Sequence, residues 1–446
     1  MKQAPVVIVG GGWAGLAAAA DLAARGHQPL LLEAGKQPGG RARKVAFAGQ
    51  AVDNGQHLFI GAYQHTLRLL KQFDLPVDEL FERQPLQLTL QYPQGQKLSL
   101  RAPRLPAPFH LLWALLGAGG LSTRSRWQAL KFGWRLSRHK ALEQTDQSVL
   151  ALLEQWQQPR ELIEAFWTPL CLAIMNTPIE ESSAELFLKV LRDAFLHQRE
   201  DSDLLYARRD LGKLFSEPAM QYIERQGGEV RLGRRVLQLH VEQQQIRGVV
   251  TGDGAIQTGQ VILAVPPRTT AALCESHPEL TGLQQQCNAF EYEPICTIYL
   301  QYPKQVQLPQ PMLGLLGGLG QWVFDRRLYG QAGLLAVVIS TRGKHMRLTN
   351  VELIARIARE LQSHFPDWPE HEQAMVIREK RATFASRVGI NSQRPEHRTA
   401  IDGLWLAGDY TRTDYPATLE GAVKSGLQCA TLANRALHPP RQDGFS

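Results

Sequence analysis

The chain is poor in cysteine and has no long apolar run. Its 446 residues hold five scattered cysteines, none of them in a C-x-x-C pair. An odd, scattered set argues against both a disulfide framework and a cysteine zinc site. It also favours a reducing compartment, so we expect a cytoplasmic protein. No window holds about 18 uninterrupted apolar residues, which disfavours a membrane-spanning helix. We find no metal-ligand cluster and no Ser/His/Asp constellation, and we therefore expect no metal.

Acidic residues are missing from one long stretch. Between Arg83 and Leu142 there is no Asp or Glu, whereas ten lysines and arginines lie there. The whole chain carries a formal charge of only +7, so the rest of it is net negative. The basic character therefore belongs to this segment and indicates an anionic partner for it. No nucleic-acid motif accompanies these charges, so we do not expect nucleic acid to be that partner.

The same stretch combines aromatic and basic residues in a way that suggests a lipid surface. Residues 105–121 are apolar but short and broken by glycines, and residues 124–141 read as an amphipathic helix. Trp127, Leu130, Trp134 and Ala141 form one stripe of this helix, flanked by lysines and arginines. This composition is typical of a helix lying on anionic lipid, and it predicts peripheral binding through residues 105–141 at the inner face of the cell membrane. The alternative is that the stripe packs on the core and the charges are solvated.

The N-terminus carries a nucleotide-binding pattern. Residues 5–9 form an apolar, β-branched run, as expected for a strand buried on both faces. Gly10, Gly12 and Gly15 then open an alanine-rich helix, which is followed by a second apolar run ending at Glu33. The first glycine allows a tight turn, the second admits a pyrophosphate, and the third lets the helix pack closely on the strand. Glu33 is placed to accept hydrogen bonds from ribose hydroxyls. The pattern predicts a Rossmann-like unit but does not separate NAD from FAD.

Three further tracts help to decide between NAD and FAD as the cofactor. Gly39 and Gly40 precede Arg41, a guanidinium suited to phosphate or ribose oxygens. The tract DNGQHLFIGAY occupies residues 53–63, and near the far end residues 403–407 read as a strand before Gly408 and Asp409. A helix containing the sequence EGA follows. There is no second strand-linked glycine fingerprint, so we expect no NAD(P)H domain and leave the external electron donor open.

Together these motifs resemble the FAD-dependent amine oxidase and phytoene desaturase superfamily. Residues 228–267 resemble the β-segment of that superfamily, which ends on a strand entering an apolar-Pro-Pro turn. The resemblance implies an α/β, two-domain fold with a Rossmann-like FAD domain and an interleaved substrate domain. It places residues 1–80, 205–270 and 395–438 in the FAD domain. Residues 81–204 and 271–394 then form the substrate domain, which includes the basic helical segment.

The resemblance also assigns residues to the cofactor. FAD would be held without a covalent bond, because no cysteine stands beside the C-terminal motif. The implied contacts are Gly10, Gly12 and Gly15 at the pyrophosphate, Glu33 at the adenosine ribose, Gly40 and Arg41 along the phosphate and ribityl region, Gly55, Gln56 and His57 past the isoalloxazine, Val236 at the adenine, Gly408 and Asp409 at a ribityl or phosphate oxygen, and the Thr418–Leu419 backbone at the pyrimidine edge.

One departure from the amine oxidases points to another branch. Those enzymes usually carry an aromatic residue where this chain has Thr418, and a threonine offers no π-face to an amine. The tracts DNGQHLFIGAY and DYPATLEGAVKSG resemble the carotene desaturases and, more closely, the squalene-associated group now understood as hydroxysqualene dehydroxylases. This implies a long isoprenoid substrate and reductive removal of a hydroxyl to give squalene, a precursor for isoprenoids and hopanoids. An oxidative carotenoid desaturase is the alternative, and an amine oxidase or a non-catalytic flavin- or lipid-binding protein is less favoured.

Three residues are candidates for the chemistry beside the flavin. His57 is our first choice for the group that protonates the leaving hydroxyl, although such a histidine is often only a structural hydrogen-bonder. Tyr415 could donate a proton or form an aromatic wall that stabilises an allylic cation. Asp53 is the third candidate, and a structural role is the alternative for it.

Overall fold

The computed structural model describes residues 5–138 and 145–438. The strands within them are β1 (Val7–Val9), β2 (Leu30–Glu33), β3 (Lys44–Phe47), β4 (Gln50–Asp53), β5 (Phe59–Ile60), β6 (Phe81–Gln84), β7 (Gln87–Gln91), β8 (Lys97–Arg101), β9 (Leu204–Ala207), β10 (Glu229–Leu232), β11 (Val236–Glu242), β12 (Gln245–Thr251), β13 (Gly254–Gln257), β14 (Val261–Leu263), β15 (Tyr292–Gln301), β16 (Met312–Leu315), β17 (Trp322–Asp325), β18 (Leu334–Ser340), β19 (Gln373–Phe384) and β20 (Leu404–Leu406).

The helices complete the chain. The α-helices are α1 (Trp13–Ala24), α2 (Gln64–Gln72), α3 (Val77–Leu80), α4 (Phe109–Leu116), α5 (Thr123–Arg138), α6 (Val149–Gln155), α7 (Arg160–Leu162), α8 (Thr168–Met175), α9 (Ala184–Phe195), α10 (Glu217–Arg225), α11 (Pro267–Cys274), α12 (Thr281–Asn288), α13 (Asn350–His364), α14 (Ile390–Gln393) and α15 (Leu419–Leu437). Short π-helical turns lie at Ile163–Trp167 and Gly212–Ser216, and 3₁₀ turns at Arg199–Ser202, Pro278–Leu280, Arg326–Tyr329 and Lys344–Arg347.

A five-stranded parallel sheet carries the nucleotide motifs. Its strand order is β10-β2-β1-β14-β20, so strands from the start, the middle and the end of the chain lie side by side. Strands β1, β14 and β20 of this sheet are wholly buried and apolar, as parallel strands covered on both faces are. Helix α1 covers one face together with α15 and α10, and the antiparallel sheet β11-β12-β13 packs near the other face.

The two ends of the chain are packed tightly against each other. Helix α15 lies along α1, and a Cβ built on Gly426 would come within 2.2 Å of the carbonyl oxygen of Ala14. Only glycine permits so close an approach of a helix to a neighbouring backbone. The C-terminal helix is therefore an integral part of the nucleotide-binding unit.

A second sheet forms the other half of the molecule. It has seven strands in the order β19-β15-β18-β17-β16-β7-β8. Helices α5, α6, α8 and α9 share one large hydrophobic core with this sheet, whereas α13 packs in a separate core on residues of β15, β17 and β18. This architecture confirms the predicted α/β fold class.

The domain division remains a prediction, although the strands agree with it. Every strand of the parallel sheet falls inside the segments 1–80, 205–270 and 395–438, and every strand of the seven-stranded sheet falls outside them. The small sheet β5-β9-β6 contains residues from both predicted parts, so the boundaries near residues 80 and 204 cut through it.

The basic segment folds as the pair α4 and α5, which pack against each other. Helix α5 buries Ala129, Phe132 and Leu136, whereas Trp127 and Trp134 are 65% and 57% exposed. The tryptophan side of the predicted stripe thus faces solvent and not the core. Residues 139–141, which hold Lys140 and Ala141, lie outside the described residues. Among the residues that the structure describes, no helix is both long enough and apolar enough to cross a bilayer.

Candidate active site

A large cavity lies between the two sheets. Its volume is about 1310 Å³, and both ends of the chain contribute to its wall. The predicted cofactor residues that line it are Gly10, Gly12, Glu33, Gly40, Arg41, Gly55, Gln56, His57, Val236, Gly408, Asp409, Thr418 and Leu419. Gly15 instead lies beneath the loop, where a Cβ would come within 2.0 Å of the carbonyl oxygen of Gly10. The fold therefore brings together motifs that lie about 400 residues apart.

The glycine loop leaves room for a ligand at one position only. Gly10 has a φ of +110°, and a Cβ there would clash with the Ala264 carbonyl oxygen at 2.4 Å. A Cβ on Gly12, by contrast, would meet no described atom within 4 Å. Gly12 is the N-cap of α1, and no side chain caps that helix. Its free N–H groups therefore point to an open space that suits a phosphate.

Glu33 is fixed at the end of β2 by backbone donors. Its Oε2 accepts a hydrogen bond of 2.6 Å from the N–H of Gly11, and its Oε1 accepts one of 2.6 Å from the N–H of Gly35. An ionised carboxylate has about four acceptor sites, so both oxygens retain capacity for ribose hydroxyls. This position beside the glycine loop fits the role that the sequence predicted.

Arg41 and Asp409 form an ion pair in the wall of the cavity. Arg41 Nη2 donates to Asp409 Oδ1 at 2.7 Å, and Nη1 donates to the carbonyl oxygen of Ala382 at 2.7 Å. Asp409 is buried, so its charge requires this partner. The pair joins the N-terminal loop, strand β19 and the C-terminal motif at one point.

The start of α15 completes this wall. Thr418 is the N-cap, and its Oγ1 accepts a hydrogen bond of 3.0 Å from the N–H of Gly421. The buried Glu420 accepts hydrogen bonds from the backbone N–H groups of His65 and Thr66, which anchors α2 to α15. The side chain of Thr418 is thus occupied in capping, and the N-terminal end of the helix lies at the cavity.

His57 lines the cavity, and its hydrogen bonding makes one of its ring nitrogens a hydrogen-bond acceptor. Its Nδ1 lies 2.7 Å from the carbonyl oxygen of Gly55. A carbonyl only accepts, so Nδ1 carries the proton, and Nε2 of the neutral ring is then an acceptor. Burial lowers the pKa of His57 more than the nearby Asp53 raises it. A neutral imidazole with this tautomer is poorly suited to donate a proton into the cavity.

Asp53 is not among the described residues that line the cavity. Its carboxylate is buried, lies 3.2 Å from Arg326 Nη1, and accepts a hydrogen bond of 2.7 Å from the N–H of Leu211. Arg326 is fully buried as well and also donates to Gln331. The position of Asp53 therefore supports a structural role, which was the alternative to the predicted catalytic one.

Tyr415 lines the cavity and is hydrogen-bonded to a residue that the motifs did not reveal. Its hydroxyl donates to Asp193 Oδ2, and Asp193 also lines the cavity. Lys189, one turn earlier on α9, places its Nζ 2.6 Å from both carboxylate oxygens of Asp193. Burial raises the pKa of Tyr415, and the hydrogen bond to Asp193 raises it further. The phenol is therefore held protonated at the cavity wall.

The remainder of the cavity wall is largely apolar. Helices α8 and α9 and the strands of the seven-stranded sheet supply side chains that no local motif distinguishes from ordinary core. They are Leu86, Leu88, Leu170, Ile174, Val190, Leu191, Phe195, Met312, Trp322, Phe324 and Val338. The cofactor region and this apolar region form one continuous space, so a long apolar molecule bound here would reach the cofactor.

Comparison with known proteins agrees with this geometry. Residues 13–434 match the family of flavin-containing amine oxidoreductases. The chain is 30% identical to the hydroxysqualene dehydroxylase of Sinorhizobium fredii, over 96% of this chain and 98% of that one. It is 24% identical to a 15-cis-phytoene desaturase of an Oncidium hybrid cultivar, over 96% and 77% of the two chains. Among solved structures, an oxidoreductase from Methanosarcina mazei superposes with a TM-score of 0.76 at 16% identity, covering 95% of this chain and 98% of that one.

The family match confirms three predictions made from the motifs. These are the superfamily resemblance, FAD as the cofactor and the oxidoreductase class. The open cradle at Gly12, the fixed carboxylate of Glu33 and the Arg41–Asp409 pair fit such a cofactor independently of the match. On both grounds, the chain belongs to the family of flavin-containing amine oxidoreductases.

Proposed function

We propose that this protein removes the hydroxyl group of hydroxysqualene reductively and releases squalene. The observation that carries the proposal is the continuity between the FAD residues and the apolar part of the cavity. A long isoprenoid placed there would have its functional carbon at the cofactor and its chains among leucines and aromatics. The near full-length relatives named hydroxysqualene dehydroxylases support this substrate.

The reaction balances as a two-electron reduction. The C–O bond breaks, and the leaving oxygen takes the bonding electron pair and a proton to give water. Reduced FAD, when bound, supplies the hydride that the carbon takes. The chain contributes binding, orientation, exclusion of water and one proton. An external reductant must restore the cofactor after each turnover.

We propose roles for the lining residues on the basis of their positions. The N-terminus of α1, with Gly10, Gly12 and Gly15, would hold the pyrophosphate, and Glu33 would hold the adenosine ribose. Arg41 and Asp409, as an ion pair, would bind a phosphate or ribityl oxygen. The backbone of Val236 would contact the adenine, and the Thr418–Leu419 backbone would contact the pyrimidine edge of the flavin. At Gly40, Gly55 and Gly408 the backbone would come close to FAD.

An oxidative carotenoid desaturase is the second candidate function. The same cavity could hold a carotene, and the phytoene desaturases among the relatives favour this alternative. Hydride would then flow from substrate to cofactor. Anaerobic incubation of the reduced enzyme with hydroxysqualene, and of the oxidised enzyme with phytoene, separates the two by the masses of the products. Squalene from the first reaction supports dehydroxylation. New double bonds in phytoene, with hydroxysqualene untouched, would establish the desaturase.

We further propose that α4 and α5 rest on an anionic membrane surface at the inner face of the cell membrane. Phe109, Trp113, Trp127 and Trp134 are each more than half exposed, within a stretch that has no acidic residue. Beneath them, a small apolar space of about 40 Å³ is lined by Leu111, Leu115 and Gly133 together with residues of the main cavity wall. The exposed aromatic face therefore lies over the side of the cavity where an apolar substrate would arrive.

A further inference from the structure

We propose that Tyr415 and Asp193, with Lys189, form a proton relay that protonates the leaving hydroxyl group. The inference rests on the proposed dehydroxylation, because that reaction consumes one proton per turnover inside an apolar cavity. It assigns the donor to Tyr415, one of the candidates from the sequence, and adds two residues of α9 that no motif indicates.

The side chains form a continuous path from the cavity to solvent. Tyr415 is 7% exposed and donates its hydroxyl hydrogen to Asp193, whose side chain is 18% exposed. Lys189, 37% exposed, lies 2.6 Å from Asp193, and His197, 67% exposed, places Nε2 3.7 Å from Oδ1 of the same carboxylate. Exposure thus rises at each step away from the cavity. Protons can reach Asp193 from water without water entering the substrate space.

The setting of Asp193 argues that its carboxylate is functional. Val190, Leu191 and Ala194 are its neighbours on α9 and line the same apolar cavity. A carboxylate in such a wall is costly unless it is paired and hydrogen-bonded. Asp193 has both kinds of partner, an ammonium from α9 itself and a phenol from the loop that precedes α15.

Two ammonium groups lie near the ring of Tyr415, within surroundings that otherwise keep its phenol protonated. The Nζ atoms of Lys189 and Lys424 lie 5.4 and 5.1 Å from the centroid of its ring. Burial is the largest cause of the raised pKa of Tyr415, followed by the hydrogen bond and the charge of Asp193, and Glu420 and Tyr63 raise the pKa further. The phenol therefore keeps its proton in the resting site. It would release that proton only as the C–O bond breaks, because the leaving oxygen becomes strongly basic when it takes the bonding electron pair, and the two ammonium groups would stabilise the phenolate that develops.

The relay step conserves atoms and charge. A proton from solvent first binds Asp193, and the Tyr415 hydroxyl turns from Asp193 into the cavity. The leaving oxygen then takes the phenol proton together with the electron pair of the breaking C–O bond, which gives water. The carboxyl proton of Asp193 passes to the Tyr415 oxygen and restores the phenol. The net transfer is one proton from solvent to the leaving hydroxyl group.

The test uses the FAD-loaded enzyme, reduced anaerobically and mixed with hydroxysqualene. Single-turnover rates of squalene formation are compared for wild type, Tyr415→Phe, Asp193→Asn, Asp193→Glu and the double variant Tyr415→Phe/Asp193→Asn. Glu154→Gln on the surface of α6 removes the same charge as Asp193→Asn and serves as the matched control. FAD content and melting temperature are measured for every variant, so that a variant that fails to fold is recognised. The folded variants then test the relay.

We expect Tyr415→Phe and Asp193→Asn each to slow squalene formation about 100-fold, the ordinary contribution of a general acid. FAD content should stay at the wild-type level, and Asp193→Glu should recover part of the rate. The double variant should be no slower than the slower single variant, because both act in one proton transfer. Wild-type formation should also be slower in D₂O, and this solvent isotope effect should change in the two single variants.

Each contrary result has a distinct meaning. Wild-type rates in Tyr415→Phe, or losses from the two single variants that multiply in the double variant, overturn the relay and leave the proposed function standing. A wild-type enzyme that forms no squalene overturns both the function and the relay.

Discussion

Arg41 and Asp409 lie 368 positions apart in the chain and form an ion pair with a distance of 2.7 Å. Neither of the segments that carry them can build this part of the cavity alone. Asp409 is buried, so loss of Arg41 leaves a carboxylate without its partner in the wall of the cofactor site.

We therefore expect Arg41→Ala and Asp409→Ala each to weaken FAD binding by at least about tenfold. Hydrogen bonds between charged groups contribute about 1.5–3 kcal/mol, and 1.4 kcal/mol corresponds to a factor of ten. Titration of the apoprotein with FAD, followed by flavin fluorescence, measures the effect. Arg231→Ala, on the exposed edge of β10, removes the same charge and should leave FAD affinity unchanged. Equal affinities in all four proteins would contradict the role of the pair.

The nucleotide site could be predicted from the sequence because its signals are local. The glycines at 10, 12 and 15 follow one strand and open one helix. The structure places Gly10 and Gly15 where a Cβ would clash with the backbone, and it places Gly12 at the open cradle. Asp193 could not be found in this way. It sits on an ordinary amphipathic helix, 222 positions from Tyr415, and only the tertiary fold turns it toward the cavity.

The catalytic candidates also show that a local motif does not reveal contacts made by the tertiary fold. His57 was the first choice for the proton donor because it lies in the tract of residues 53–63, which the resemblance places beside the flavin. Its tautomer, however, depends on the Gly55 carbonyl, and its lowered pKa depends on burial. Asp53 belongs to the same tract, yet β4 directs it to the buried Arg326, which lies 273 positions away. Distances of this kind are not encoded in any single motif.

FAD should be released completely when the protein is precipitated with acid. The residues around Gly408 and Asp409 include no cysteine, and the five cysteines of the chain are buried and are not among the described residues that line the cavity. The absorbance of the supernatant at flavin wavelengths should therefore account for all bound FAD. Yellow colour that stays with the washed pellet would show a covalent bond and contradict this prediction.

The protein should sediment with anionic vesicles through the exposed aromatic face of α4 and α5. We expect replacement of Trp113, Trp127 and Trp134 by Ala to reduce the bound fraction severalfold, because tryptophan anchors helices at the membrane interface. Added salt should reduce binding by the wild type as well, since it screens the basic residues. Val351→Ala, a 77% exposed apolar residue on α13, is the matched control. A protein that fails to sediment at any salt concentration would overturn the proposed membrane surface.

Stability should fall as the pH drops below about 6.5. Burial lowers the pKa of His110, His345 and His364 below the ordinary histidine value of about 6.5, so the folded chain binds fewer protons there than the unfolded chain does. Stability then rises with pH across this window and is lost on acidification. His110→Leu should flatten the dependence of melting temperature on pH between 7 and 5 by removing one of these groups. An unchanged slope would show that His110 is protonated equally in both states.

Hydride should pass directly from the cofactor to the carbon that loses oxygen. The continuity of the cavity brings substrate and cofactor into one space, so the transfer requires no intermediate carrier of the hydride. The test reconstitutes the apoprotein with reduced 5-deaza-FAD that carries deuterium at both hydrogen positions of carbon 5, which do not exchange with solvent. In ordinary water we expect one deuterium per squalene, located by NMR at the carbon that carried the hydroxyl. Protein reconstituted with unlabelled reduced 5-deaza-FAD in D₂O is the control and should give squalene without carbon-bound deuterium, because the relay delivers its proton only to oxygen. Label entering from D₂O, or squalene lacking deuterium in the first experiment, would contradict direct transfer.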